Sequence, residues 1–335
     1  MLSFGVNIDT TQSFSLELRR IFFLGILSLL LILMGPTGIF APIPLVFIFL
    51  LYSQSKGIIT GMVGFSILLL LTIIFNFTPL LSVVFLLSFV NAILIANTIL
   101  KGLSPDRGLV MAGIVFFIIV LVGVGSYLAI GPDFVKVELT RVLAGFIDQI
   151  KKENADFIAQ GGDDARVLQD LLKDPKTIVE NFLNWACAAF FSILMFGHWL
   201  CLIIVLRSSL VWKKKRAYDF TIRHLISFKA PEFFVWPLIM ALGLVLVGEY
   251  ILGPVGTVLG MNFLYFLGVF YFIQGVGVYY DVLQMVGIRG GFRSILVILA
   301  AVMAYRFLAI VGVFDQWINF RQQIKNFKKN KGDNL

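Results

Sequence analysis

The sequence predicts an all-α fold, a polytopic integral membrane bundle of eight or nine transmembrane or re-entrant helices. Composition is the first ground. Of 335 residues, 59% are hydrophobic and 14% are charged, against about 25% charged in a soluble domain. Mean hydropathy is +0.95. The second ground is that apolar runs near membrane-spanning length follow one another with short polar breaks. The third is charge placement. The net charge is +8, and the basic residues gather in loops, as retention on the inner side of a membrane describes. A soluble chain of this composition would have a core with almost no surface to cover it. Membrane-surface charge therefore explains the basic excess better than nucleic acid does.

Residues 1–20 form a polar cytoplasmic lead-in ending in Glu17, Arg19 and Arg20. It has no early basic region and no clear cleavage site, so it does not read as a secretory signal. A first membrane group occupies 21–130. Its opening runs, 21–34 and 39–52, flank GPTGIFAPIP at 35–44. Both fall short of the roughly 20 residues a full crossing needs. They form two short tilted crossings or one broken re-entrant unit, which only a protein or polar lining tolerates. Spans follow at 58–75, 79–100 and 109–130, with a turn at 76–79. In KGLSPDRG, Ser104 is the expected N-cap and Pro105 the first helical residue.

Residues 131–181 form an extramembrane insert. Ten acidic and seven basic side chains lie in 133–181, a net of −3. Val135, Leu139, Val142, Phe146 and Ile150 recur at helical spacing, so an amphipathic helix is expected there. GGDD at 161–164 breaks it, and Val167, Leu168, Leu171 and Leu172 suggest a second short helix. Asp174 caps the next helix, with Pro175 at its first position. A second membrane group follows at 182–314, with a span at 182–206 and apolar runs at 233–252, 258–286 and 292–314.

The loop at 207–232 carries seven basic side chains against Asp219 and Glu232, which places it in the cytoplasm. Counting back, the acidic insert lies outside. Lys101, Arg107 and Lys56 lie inside, and so does the N-terminus with Arg19 and Arg20 if 21–34 and 39–52 both cross. Counting forward, three crossings put the tail at 315–335 outside, although it carries Arg321, Lys325, Lys328, Lys329 and Lys331. A re-entrant or displaced helix within 233–270, at Pro237, Gly253, Pro254 and Gly256, is the favoured escape.

Polar side chains in apolar segments are expensive and usually have a role. Asn91, Glu249, Asn262, Gln274, Asp281 and Arg306 are the candidates for a polar pocket or ion pair. Gln274, Asp281 and Met285 share one helical face, which serves helix–helix hydrogen bonding or a binding face. Glu249 lies beside the Gly-Pro break at 253–256, where unwound backbone beside a carboxylate suits a cation or amine, or it simply ends a helix. Arg306 needs a carboxylate, with Glu249 and Asp281 available, or an anionic ligand, unless it snorkels. His198 could titrate near neutral pH. Asp315 could pair with Arg321 or reach back into the bundle. Gly57-x-x-x-Gly61 and Gly256-x-x-x-Gly260 are close-packing signals. Cys187 and Cys201 form no disulfide framework. No metal-ligand spacing, Walker A sequence or nucleotide fingerprint is present. No cofactor and no enzymatic activity are expected.

Three stretches carry a family resemblance: APIPLVF at 41–47, NFLYFLGVFYFIQGVGVYYDVLQ at 262–284 and GVFDQWINFR at 312–321. Their marks are the Pro-rich second segment, the Gln-Gly of a late helix, and the ending G-x-x-D-x-W-x-x-x-R. With the multi-span layout they resemble the YybS-like family of uncharacterised bacterial membrane proteins, of DUF2232 type. That family has been likened to the substrate-binding subunits of energy-coupling-factor transporters. The resemblance implies a small-solute binding or transport component in a bacterial cytoplasmic membrane. Its partners would be membrane lipids, a small-molecule ligand, and a separate ATPase module or further copies of the chain. The competing expectation is a non-catalytic scaffold or assembly protein.

Overall fold

A computed structural model describes residues 8–75, 79–154 and 174–323. The expected turn at 76–78, the GGDD break, the short helix at 167–172 and the tail from 324 lie outside these residues. Among the described residues all regular structure is helical. The helices are α1 (Ile8–Leu33), α2 (Pro42–Leu51), α3 (Gln54–Phe75), α4 (Pro79–Leu100), α5 (Pro105–Ile130), α6 (Pro132–Glu153) and α7 (Pro175–Arg207). They continue with α8 (Ser209–Trp212), α9 (Ile222–Ile226), α10 (Val235–Leu252), α11 (Pro254–Met285), α12 (Gly290–Met303) and α13 (Tyr305–Ile318). Short 3-10 turns cover Gly35–Phe40 and Glu232–Phe234.

Among the described residues six segments are long and apolar enough to cross a membrane: α3, α4, α5, α7, Glu232–Leu252 and α11. The polytopic helical bundle is therefore the fold. Two expectations change. Helix α1 starts at Ile8, so most of the lead-in is helical. The break expected within 233–270 is only a tight turn at Gly253, whose φ of 64° favours glycine, and both flanking helices run on. The interrupted element comes later, where α12 and α13 meet at an angle of 100°. Helix α5 begins on Pro105 as expected, and Asp174 caps α7: its Oδ1 accepts from the N–H groups of Lys176 (3.1 Å) and Thr177 (3.3 Å).

The chain forms two compact units. The first holds Met1–Ile114, Met195–Ala230 and Tyr271–Leu335. Its centre is α2, packed against α1, α3 and α4. Pro42, Pro44, Leu45, Val46, Ile48, Phe49 and Leu50 of α2 are all buried. A buried helix start leaves unpaired N–H groups, and the two prolines remove two of these donors. Ser28 Oγ donates to the Ala41 carbonyl at 2.8 Å, and Cys201 Sγ to that of Ile39 at 3.2 Å. At the other end, Arg216 Nε donates to the Leu50 carbonyl and Lys215 Nζ to that of Leu51, both at 2.9 Å. Cations there also face the negative end of the helix dipole. A Lys56–Glu17 ion pair of 2.5 Å joins the start of α3 to α1. The chain thus runs out along α1 and turns back through α2, a path that two short crossings and a re-entrant unit share. Gly57 and Gly61 lie under Phe49 and Phe89, so this small-residue motif is spent inside the chain.

The second unit holds Val115–Leu194 and Pro231–Phe270. Phe117, Phe191, Phe263, Phe266, Phe270 and Phe234 form a chain of ring contacts with centroids 4.9–6.3 Å apart. Gly248 and Gly256 bring α10 and α11 into backbone contact, and Gly260 lies against Leu244 and Val245. The second small-residue motif is likewise used within the chain. Helix α6 buries Ile147 but exposes Phe134, Val137, Val142 and Phe146, as an amphipathic helix would.

Candidate functional site

In the first unit, α11 and α13 cross at two glycines. A Cβ on Gly275 would overlap the Leu308 carbonyl oxygen, and a Cβ on Gly312 would overlap that of Tyr271. Each glycine has a polar neighbour on its own helix, Gln274 before Gly275 and Asp315 three residues after Gly312. The close approach brings these neighbours together. Gln274 Nε2 donates to Asp315 Oδ2 at 3.0 Å, and both residues are buried.

Further groups converge on the same place. Gln274 Oε1 accepts from the Ala230 N–H at 2.9 Å. The Gln274 carbonyl accepts from Arg321 Nη2 at 2.7 Å. Gln316 Nε2 donates to the Ala230 carbonyl at 3.3 Å, and Lys229 Nζ to Asn319 Oδ1 at 3.3 Å. Arg321 Nε lies 3.8 Å from Asp315 Oδ2 and 4.0 Å from Asp281 Oδ2. These are ion pairs too long for direct hydrogen bonds, the spacing at which a bridging water belongs. Burial pulls the Arg321 guanidinium below its usual range, and the carboxylates of Asp315, Asp281 and Asp106 pull it back up. The carboxylates of Asp281 and Asp315 thus face the Arg321 guanidinium, with the Lys229 ammonium nearby. Asp315 Oδ1 and Gln316 Oε1 are buried with no protein hydrogen-bond partner among the described residues. They are two acceptors that a water or a small donor would satisfy.

The cluster lies on the side of the bundle that holds the basic loop. Gln274 meets Ala230, and Gly277 packs against the Ile226 carbonyl and the Arg321 guanidinium. Tyr218, in the same loop, donates its hydroxyl to the Leu103 carbonyl at 2.9 Å. Burial, and then the charge of Asp106, push that phenol well above its usual range.

The six candidates fall in both units, Glu249 and Asn262 in the second and the other four in the first. Gln274 and Asp281 belong to the cluster just described. Asn91 Oδ1 is 2.7 Å from His198 Nδ1, with both side chains buried. Asp281, one of the two carboxylates expected for Arg306, faces Arg321 instead. Arg306 lies just past the 100° bend, and its Nε donates to the Tyr305 hydroxyl at 3.0 Å. Glu249 is exposed on α10. Among the described residues no group of three His, Cys, Asp or Glu is placed to hold a metal ion.

Asn262, in the second unit, is spliced into the backbone of α7. Its Oδ1 accepts from the Ala188 N–H at 2.9 Å, and its Nδ2 donates to the Asn184 carbonyl at 2.7 Å. Those two backbone groups are the partners an i→i−4 ladder would join. Nδ2 also donates to the Val258 carbonyl at 2.8 Å. The arrangement ranks two substitutions. Asn262→Leu leaves these two groups to their own helix and costs about 1 kcal/mol, an ordinary hydrogen-bond loss. Asn262→Asp turns an acceptor toward two carbonyl oxygens and costs about 3 kcal/mol as an uncompensated buried polar group. Thermal melting in detergent should place Asp below Leu, and the reverse order would refute the splice.

Sequence reasoning offered Asp315 as a partner of Arg321 or as a group reaching back into the bundle, and did not join either to Gln274. Their partnership with Gln274 depends on a crossing that no single segment specifies. The crossing joins two of the three stretches that carried the resemblance, and the third forms the buried helix α2. The family comparison agrees. The model of a family described as a predicted membrane protein, DUF2232, matches residues 21–316. The chain belongs to the DUF2232 family. The match covers α2, Gln274 and Asp315, and it stops before Arg321. No curated protein and no solved structure matches this DUF2232 chain.

Proposed function

We propose that this DUF2232 protein is a small-solute binding or transport component of a bacterial cytoplasmic membrane, with the 207–232 loop in the cytoplasm. The observation that carries the reading is the polar cluster of Asp281, Asp315, Arg321 and Gln274 at the foot of the bent α12–α13 pair. Ionisable groups at a broken membrane element are a frequent setting for solute and coupling-ion sites. Two buried acceptors without protein partners among the described residues suit a hydrogen-bond-donating occupant. A separate ATPase module, or further copies of the chain, would complete the assembly.

A scaffold role is the second reading, and a specific observation favours it. The amides of Asn91, Asn262 and Gln274 are spent on side chains and backbone of neighbouring helices. Mass spectrometry of small molecules extracted from purified protein separates the two. Transport predicts one non-lipid solute enriched over an unrelated membrane protein and lost from Gln274→Leu. An extract of lipid alone, the same for both variants, would move the conclusion to the scaffold.

A further inference from the structure

The topology of the C-terminal end follows from where α13 makes its contacts. If α12 and α13 were one broken crossing, the residues after Ile318 would leave the membrane on the face opposite the start of α12. The bend of 100° exceeds a right angle, so α13 runs slightly backwards along the direction of α12. Helix α13 also finishes among the residues of the basic loop. Asn319 meets Lys229, Gln316 meets Ala230, and Arg321 meets Asp281 near the end of α11. The turn from which α12 starts follows directly from that end of α11. Both ends of the α12–α13 pair therefore lie on one face.

Other contacts tie the rest of the first unit to the same face. Arg216 caps α2, Tyr218 bonds to Leu103, and Lys56 pairs with Glu17. Charge agrees independently. Arg289 and Arg293 flank the start of α12, and Lys325, Lys328, Lys329 and Lys331 follow α13, which suits the side that holds the seven basic residues of 207–232.

We infer that α12 and α13 do not cross the membrane. They form a re-entrant hairpin that leaves and rejoins the basic-loop face, strapped there by Gln274, Asp315 and Arg321, so that the chain leaves α13 on that face. The conflict between a basic tail and three forward crossings then disappears, since only Glu232–Leu252 and α11 cross after the loop.

Single cysteines test this in a Cys187→Ala, Cys201→Ser background, at Lys214→Cys, Glu138→Cys and Asn334→Cys. An impermeant maleimide is applied to intact expressing cells and to inverted vesicles made from them. The expected result is that Asn334→Cys labels in the same preparation as Lys214→Cys, and that Glu138→Cys labels in the other. Asn334→Cys tracking Glu138→Cys would overturn the hairpin. A fluorescent-protein fusion after Leu335, which lights only in the cytoplasm, gives a second readout without any cysteine. It should be bright if Lys214→Cys labels only in inverted vesicles, and a dark fusion of a stably inserted chain would also overturn the inference.

Discussion

Gly312→Ala collapses the α11–α13 crossing, while Gly268→Ala leaves the protein as stable as before. Adding one methyl at Gly312 drives a Cβ into the Tyr271 carbonyl oxygen, with further contacts at Gly275. The obstructing atoms belong to the backbone of a 32-residue helix and cannot swing aside as a side chain would. The two helices must separate by more than an ångström. The Gln274–Asp315 hydrogen bond, 3.0 Å long, then breaks, and both buried groups lose their partner. Overpacking alone costs about 1–3 kcal/mol, and stranding a buried polar pair adds about 1–3 kcal/mol more. At Gly268, also on α11, a Cβ would meet nothing within 4 Å, so alanine brings only its higher helix propensity, worth up to about 1 kcal/mol. Thermal unfolding of purified protein in one detergent compares the two. Equal melting temperatures for Gly312→Ala and wild type would mean that the helices do not touch at this point.

The same crossing marks how far the sequence alone could be read. Fold class was legible because it depends on sums, such as apolar fraction, run length and loop charge, that need no knowledge of which helix meets which. Helix starts at Pro105 and Pro175 were legible because proline and a capping Ser or Asp act within one turn. The site was half legible. Gln274 and Asp281 stood out as polar residues in an apolar helix, and Asp315 with Arg321 as a motif. Their union depends on Gly275 and Gly312 facing each other, a tertiary fact that two separate helical patterns do not encode. Arg306 stood out in the same way, but of the two carboxylates expected for it Asp281 faces Arg321. The break was sought at Gly253 and Pro254 because glycine and proline interrupt helices. There they only make a tight turn between two full-length helices, whereas Ala304, which carries no sequence signal, sits at the true bend.

Arg321→Leu destabilises the first unit by about 3–5 kcal/mol, the usual cost of removing one partner from a buried ion pair. Side-chain exposure is 15% for Arg321, 29% for Asp281 and 3% for Asp315, so little water is available to replace the guanidinium. Asp315 then keeps only its bond from Gln274, and the Gln274 carbonyl loses the donation from Nη2. Lysine does not rescue the site. One ammonium cannot hold the Gln274 carbonyl with one nitrogen while directing another between two carboxylates, which the rigid guanidinium fork does. Asp315→Asn is milder, because an amide oxygen still accepts from Gln274 while Arg321 keeps Asp281. Combining Arg321→Leu with Asp315→Asn should therefore recover stability relative to Arg321→Leu alone, since one stranded carboxylate is gone. A double-mutant cycle read by thermal melting isolates that coupling, and a cycle that closes to zero would mean the carboxylates are solvated rather than clamped. The sign of the coupling also bears on function. If Arg321 neutralises a carboxylate that would otherwise accept a cation, Arg321→Leu with added monovalent cation should regain stability that Arg321→Leu/Asp315→Asn does not. A purely structural clamp would show no such dependence.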